Sequence, residues 1–189
     1  MADFVIFAGV NGAGKSTLYN TIIPTLDLGV RINTDEIVRE IGDWRSGKDQ
    51  IRAGRIALDI RHDCIEKNLS FNQETTLTGK NIIKAIKEIK EKGYTLHLYY
   101  IGLESAEISK ERIKNRVLNG GHNISSDVID KRYKETFENL KEILPLVDYA
   151  KIYDNSNKYK LCYAKFSSSY IKISNDTPLW LENVLKDII

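Results

Sequence analysis

Phe4-Val5-Ile6-Phe7-Ala8-Gly9-Val10-Asn11-Gly12-Ala13-Gly14-Lys15-Ser16-Thr17 is the stretch on which the reading of this chain turns. Its first five residues are apolar without a break, as expected of a parallel strand buried on both faces. Residues 9–16 then satisfy G-x-x-x-x-G-K-[ST] at every fixed position, and a helix-like run, Ser16–Ile23, follows. Glycines let consecutive backbone N–H groups turn inward around phosphate oxygens with no Cβ in the way. Lys15 can reach the β- and γ-phosphates, the Ser16 hydroxyl can ligate Mg²⁺, and the helix N-terminus adds partial positive charge. Gly9, Asn11, Gly12, Ala13, Gly14, Lys15, Ser16 and Thr17 are therefore the expected nucleotide-binding set. ATP and Mg²⁺ are the expected ligands, with Ser16 on the metal.

Outward from this motif, strand and helix patterns alternate. Val30–Asn33, Leu69–Thr75, Thr95–Ile101 and Tyr149–Tyr153 read as further short strands. Ile82, Ile83, Ile86 and Ile89 mark one helical stripe, and Ile129, Tyr133, Phe137, Leu140 and Leu144 mark another. Ile51, Leu58 and Ile65, joined by Ile60 and Cys64, predict a helix over Asp49–Lys67. Gly93 and Pro145 read as helix stops. Leu161–Phe166 and Tyr170–Ile173 flank Ser167-Ser168-Ser169 as a hairpin, and a last helix opens near Pro178 with Asp176 or Thr177 as its cap. The pattern predicts an α/β P-loop NTPase fold: a mostly parallel sheet with helices on both faces, then a small β-hairpin plus helix. A single kinase-like domain over residues 1–189 is expected, with 159–189 as a C-terminal annex.

Composition bounds the function. The 189 residues carry 42% apolar side chains, enough for one substantial core, and a formal charge of only +2. So small a charge argues against a broad nucleic-acid or membrane footprint. Cys64 and Cys162 lie far apart without metal-ligand spacing and read as reduced thiols. The opening apolar run is too short for a bilayer and has no charged leader or cleavage site, which predicts a cytoplasmic protein.

Acids and arginines decide which kind of P-loop protein this is. Asp35 follows the second strand, where an acceptor would enter, and can take the proton of an acceptor hydroxyl. Its competing reading is a cap for a helix over Glu36–Ile41. Glu74 ends the third strand candidate and reads equally as a site acid or a solvated loop acid. Arg112 and Arg116 share one helix face, and Arg132 lies beyond the loop Asn119-Gly120-Gly121-His122. Arginines closing over a γ-phosphate stabilise its transition-state charge, although a solvated helix face is the bland alternative. His122 reads as loop packing, His62 as solvent-facing, and His97 as core or edge. Leu118-Asn119-Gly120-Gly121-His122 superficially matches the L-S-G-G-Q signature of ABC ATPases. The apolar strand ending in Asp-Glu that should follow is missing, and Leu146-Val147-Asp148-Tyr149 is a poor substitute. A guanine-reading N-K-x-D is absent. The residues point to an ATP-dependent kinase acting on a small acceptor, with an ATPase or nucleotide-dependent switch acting on a protein partner as the alternative.

An ordered set of segments resembles the zeta-toxin family of P-loop kinases, in particular its short single-domain bacterial members. The set comprises Gly9–Thr17, Ile32-Asn33-Thr34-Asp35-Glu36-Ile37, Phe71–Gly79 with Glu74-Thr75-Thr76, and Arg116–His122. Arg132-Tyr133, Tyr153-Asp154-Asn155-Ser156 and Pro178-Leu179-Trp180 complete it. The resemblance implies phosphorylation of the 3′-hydroxyl of the amino-sugar of UDP-N-acetylglucosamine, and a small antitoxin as partner. It implies Asp35 as general base, Glu74 and Thr75 as substrate contacts, and Arg116 and Arg132 as the γ-phosphate arginines beside Lys15. The chain is shorter than full zeta toxins, and its Gly120-Gly121-His122 segment matches the short group.

Overall fold

The structure is a computed structural model and describes residues 1–121, 123–166 and 170–188. His122, Ser167, Ser168, Ser169 and Ile189 lie outside the described residues, and with them the residues expected to join the hairpin. In chain order the elements are β1 (Asp3–Ala8), α1 (Lys15–Ile22), β2 (Val30–Ile32), α2 (Thr34–Ile41) and α3 (Gly47–Glu66). Then follow β3 (Phe71–Thr75), α4 (Lys80–Glu91), β4 (Thr95–Gly102), α5 (Ala106–Leu118) and α6 (Ser126–Ile143). The chain closes with β5 (Tyr149–Asp154), β6 (Lys160–Phe166), β7 (Tyr170–Ile173) and α7 (Leu179–Leu185).

One seven-stranded sheet has the order β2-β3-β1-β4-β5-β6-β7. The pairs within β2-β3-β1-β4-β5 are parallel, while β5–β6 and β6–β7 are antiparallel. The predicted hairpin thus extends the parallel sheet at the β5 edge. Alternation along β1 supplies both core faces. Phe4, Ile6 and Ala8 join the larger cluster with residues of α4, α6 and α7, whereas Val5 and Phe7 pack with Tyr19 and Leu28 on the other side. Phe4 stacks on Phe71 with ring centroids 4.4 Å apart, and Phe7 stacks on Tyr99 at 5.2 Å. Such pairs tie β1 to the strands on either side of it.

Two expectations are corrected. Helix α3 forms, but Ile51 and Leu58 are 62% and 53% exposed, while Ala53, Ala57 and Cys64 are buried. Its inner stripe is built from small residues at i, i+4 and i+11, with Ile60 and Ile65 partly buried against the core. The largest apolar side chains were a poor guide because close packing admits small ones. Helix α7 starts after Pro178 without a side-chain cap. Asp176 is instead paired with Lys160, and the Thr177 hydroxyl donates to Ser174 O.

Candidate active site

The site lies at the carboxyl ends of β1, β2 and β3, where the chain leaves the sheet for α1, α2 and the segment before α4. Gly9 leaves β1 with φ 139°, and a Cβ there would collide with the carbonyl of Ile101 on β4. Only glycine allows the loop to turn this close to the neighbouring strand. The loop ends at Gly14, the N-cap of α1, with φ 103° and no side-chain cap. The amides of Lys15, Ser16 and Thr17 therefore open the helix without intrahelical acceptors, and the first helical bond runs from Leu18 N to Gly14 O at 3.0 Å. This is an anion-binding helix start.

Lys15 is 8% exposed, and its Nζ donates to Val10 O at 3.1 Å. Burial pulls its ammonium below the usual lysine range; Glu74 and Asp35 oppose this, and Arg116 and Arg132 add to it. These groups lie close enough to feel one another, so the structure brings together the residues picked out along the sequence. Arg132 donates to the side chain of Asn11 at 2.9 Å, which tethers α6 to the phosphate loop. Arg116 sits in the last turn of α5, packed so tightly on Gly121 that a Cβ there would meet its Cγ at 2.5 Å.

Glu74 is the centre of a polar network. It lies beside Phe7 in the β1–β3 register. Both its carboxylate oxygens are 3.0 Å from the Ser16 hydroxyl. Arg31 reaches Oε2 at 2.9 Å and Asn33 Nδ2 at 3.0 Å. The Arg31 guanidinium also donates to Glu36 and Asn72 and lies over the Tyr19 ring, 3.5 Å from its centroid. Such a network removes Glu74 from the solvated-loop reading. Ser16 Oγ and the Glu74 carboxylate are hard oxygen donors of the kind Mg²⁺ takes, together with nucleotide oxygens and water. The two residues fit that ion.

Asp35 stands in the first turn of α2, and its side chain is exposed. The cap of this helix is Asn33, whose side-chain oxygen accepts from Asp35 N at 3.0 Å and Glu36 N at 3.4 Å. The capping role is thus taken, and the Asp35 carboxylate is left facing outward. Thr75 Oγ1 accepts from Leu77 N at 3.0 Å, which supports the turn leaving β3 and leaves the hydroxyl proton to donate.

Other groups resolve more plainly. Arg112 is committed to backbone, donating to Gly12 O at 3.3 Å, Asn155 O at 2.7 Å and Ser156 O at 3.1 Å. Asp148 lies at the other end of the sheet from the phosphate loop, where it binds Lys90 and Leu96 N. It has no part in a nucleotide site, which disposes of the ABC comparison. His62 faces solvent beside Glu66, and His97 is half-buried beside Asp3 and stacked on Tyr149. Sequence reasoning gave no role to Arg31, Asn33, Asn155 or Tyr159. Asn33 and Asn155 do lie within segments that carry the family resemblance.

A phosphate loop after the central strand of a β2-β3-β1-β4-β5 parallel sheet, with an acid at the end of the adjacent strand, defines a P-loop nucleotide-binding fold of kinase type. The zeta toxin family model matches residues 2–165, and the chain belongs to that family. An uncharacterized protein of Haemophilus influenzae is 38% identical over 129 residues, covering 68% of this chain and 91% of that one. A structure from the PezAT chromosomal toxin–antitoxin system of Streptococcus pneumoniae aligns with TM-score 0.63 and 18% identity, over 100% of this chain and 78% of that one. The AvrRxo1-ORF1:-ORF2 complex with ATP aligns with TM-score 0.74 and 13% identity, over 100% of this chain and 65% of that one. At these identities the two structures speak to the fold.

Proposed function

We propose that this chain is an ATP-dependent phosphotransferase that moves the γ-phosphate to a hydroxyl of a small acceptor, a UDP-amino-sugar such as UDP-N-acetylglucosamine. The observation that carries the reading is the exposed carboxylate of Asp35, which stands in the first turn of α2 within electrostatic reach of Lys15 while Asn33 does the capping. In the reaction the acceptor oxygen bonds to Pγ, the bond from Pγ to the bridging oxygen breaks, and ADP leaves. The acceptor's proton goes to Asp35. Lys15 leaves Val10 O for the phosphates, and Arg116 and Arg132 close on the equatorial oxygens as charge builds there. A bound Mg²⁺ would supply charge neutralisation for the nucleotide phosphates. Ser16 would hold it, with Glu74 fixed beside Ser16 by Arg31 and Asn33.

Glu74 and Thr75 form the wall toward the acceptor. The family membership and a neighbour in fold from a toxin–antitoxin system support a small antitoxin as partner, and the proposed enzyme works in the cytoplasm. No described helix is long and apolar enough to cross a membrane. The test is transfer of labelled γ-phosphate by purified protein to nucleotide sugars, nucleosides and short nucleic acids. Label on a UDP-amino-sugar hydroxyl is the expected result. Label released only as inorganic phosphate, whatever acceptor is added, would instead support an ATPase or a switch acting on a protein partner.

A further inference from the structure

The outer side of the phosphate loop carries an arrangement that phosphate transfer itself does not use. Five consecutive carbonyls, Val10 to Gly14, each accept a hydrogen bond from a side chain. Lys15 Nζ serves Val10 O, and Ser109 Oγ serves Asn11 O at 2.6 Å. Arg112 serves Gly12 O at 3.3 Å, Asn155 Nδ2 serves Ala13 O at 2.8 Å, and the Tyr159 hydroxyl serves Gly14 O. Lys15 must leave its carbonyl to reach phosphate. The other donors come from α5 and from the β5–β6 connection, and nothing in the reaction requires them to move.

A peptide unit is planar and trans, so its C=O and the following N–H point to opposite sides. Anchoring a carbonyl outward therefore aims the next amide inward. The amides set in this way belong to residues 12–15; that of Ala13 closes a turn onto Val10 O at 3.2 Å, and those of Gly12, Gly14 and Lys15 are left to line a phosphate cradle. The donors are placed firmly. Ser109 and Asn155 are buried, and Tyr153 packs edge-on against the Tyr159 ring with centroids 6.3 Å apart. A Cβ on Gly14 would collide with the Tyr159 hydroxyl and come within 2.9 Å of Asn155 Nδ2. Glycine at this position is thus required by the anchor as well as by its φ. Burial raises the Tyr159 pKa, so the hydroxyl keeps its proton and remains a donor throughout the neutral range.

We propose that Tyr159 and Asn155, with Ser109 and Arg112, are positioning residues for nucleotide phosphate, acting through the loop backbone they anchor. The inference rests on the phosphate-loop reading above. It gives the β5–β6 connection a part in ligand affinity exerted through loop backbone, not through a contact of its own with the phosphates.

The test is calorimetric titration of pyrophosphate and of Mg-ADP into the wild-type chain, Tyr159→Phe, Asn155→Ala and Lys15→Ala. Tyr159→Phe keeps the ring and deletes one donor, so the chain should fold normally and bind both ligands about five- to tenfold more weakly. Asn155→Ala should act in the same direction. Equal loss for pyrophosphate and ADP marks an effect on the phosphate cradle. Loss confined to ADP would make Tyr159 a base or sugar contact and overturn the proposal. Wild-type affinity in Tyr159→Phe, with Lys15→Ala still abolishing binding, would overturn the positioning claim alone, including the case where only melting temperature falls. Failure of the wild-type chain to bind either ligand would bring down the phosphate-loop reading and this inference with it.

Discussion

On the donor side of the site the loop over residues 10–14 is anchored carbonyl by carbonyl, and Lys15 is buried beneath it. On the acceptor side Asp35 is exposed and its carboxylate faces outward from a helix that another residue caps. Glu74 stands between the two, tied to Ser16 on one side and to Arg31 and Asn33 on the other. The difference follows from what each side must do. A phosphate cradle works by having its dipoles in place before the charge arrives, since their reorganisation would otherwise be spent at the moment of reaction. A general base must remain free to meet a proton that comes with the acceptor. Under the proposed reaction a rigid donor side and an uncommitted acceptor side each have a use, and each should fail differently when altered.

Breaking the donor side should have the largest effect. Lys15→Ala is expected to abolish measurable phosphate transfer and to erase the thermal stabilisation given by Mg-ADP, through the mass-action link between binding and stability. The ligand-free melting temperature should change little, because the change removes a cation that burial disfavours and Val10 O still accepts from Ala13 N. Differential scanning fluorimetry with and without nucleotide checks both halves. A lost fold in the ligand-free variant would make Lys15 a structural residue.

Arg132→Ala comes next. It should cut turnover by about 10³-fold or more while changing ATP affinity little, since its main contact is placed on transition-state charge. Arg132→Lys should recover little of this, as a point charge cannot reproduce the planar fork that now spans to Asn11. Steady-state kinetics separates the cases, and a loss seen only in KM would reassign Arg132 to ground-state binding. Arg116→Ala is expected to behave in the same way.

The smallest effect sharpens the boundary between the two sides. Asn33→Ala removes the cap of α2 and a hydrogen bond to Glu74 together. It should lower unfolding free energy by about 1–2 kcal/mol and leave a folded, weakened enzyme. Urea denaturation beside the transfer rate tests this. Unchanged stability would return the capping role to Asp35.

Much of the fold is legible in the sequence because its strands are continuous apolar runs separated by helices with clear stripes. The helix α3 face was not, since Ala53 and Ala57 carry too little hydrophobicity to stand out against Ile51 and Leu58. The phosphate loop announces itself locally. Glu74 does not, because its partners Ser16, Arg31 and Asn33 lie on three other segments and meet only when the strands align. Asp35 was ambiguous for a different reason. An acid in the first turn of a helix is favourable whether or not it has chemistry to do, and only the Asn33 geometry separates the two. Asn155 and Tyr159 act on backbone more than a hundred residues away in sequence, a relation that no local pattern carries.

Asp35→Asn tests the central claim most directly, with γ-phosphate transfer and nucleotide affinity measured on the same preparation. The substitution keeps shape and removes the basic oxygen, and Asn33 continues to cap the helix. Transfer should fall by about 10²–10⁴-fold while Mg-ADP binding and melting temperature stay at wild-type values. Wild-type transfer with wild-type binding would contradict the assignment of Asp35 as the base and shift that role to Glu74.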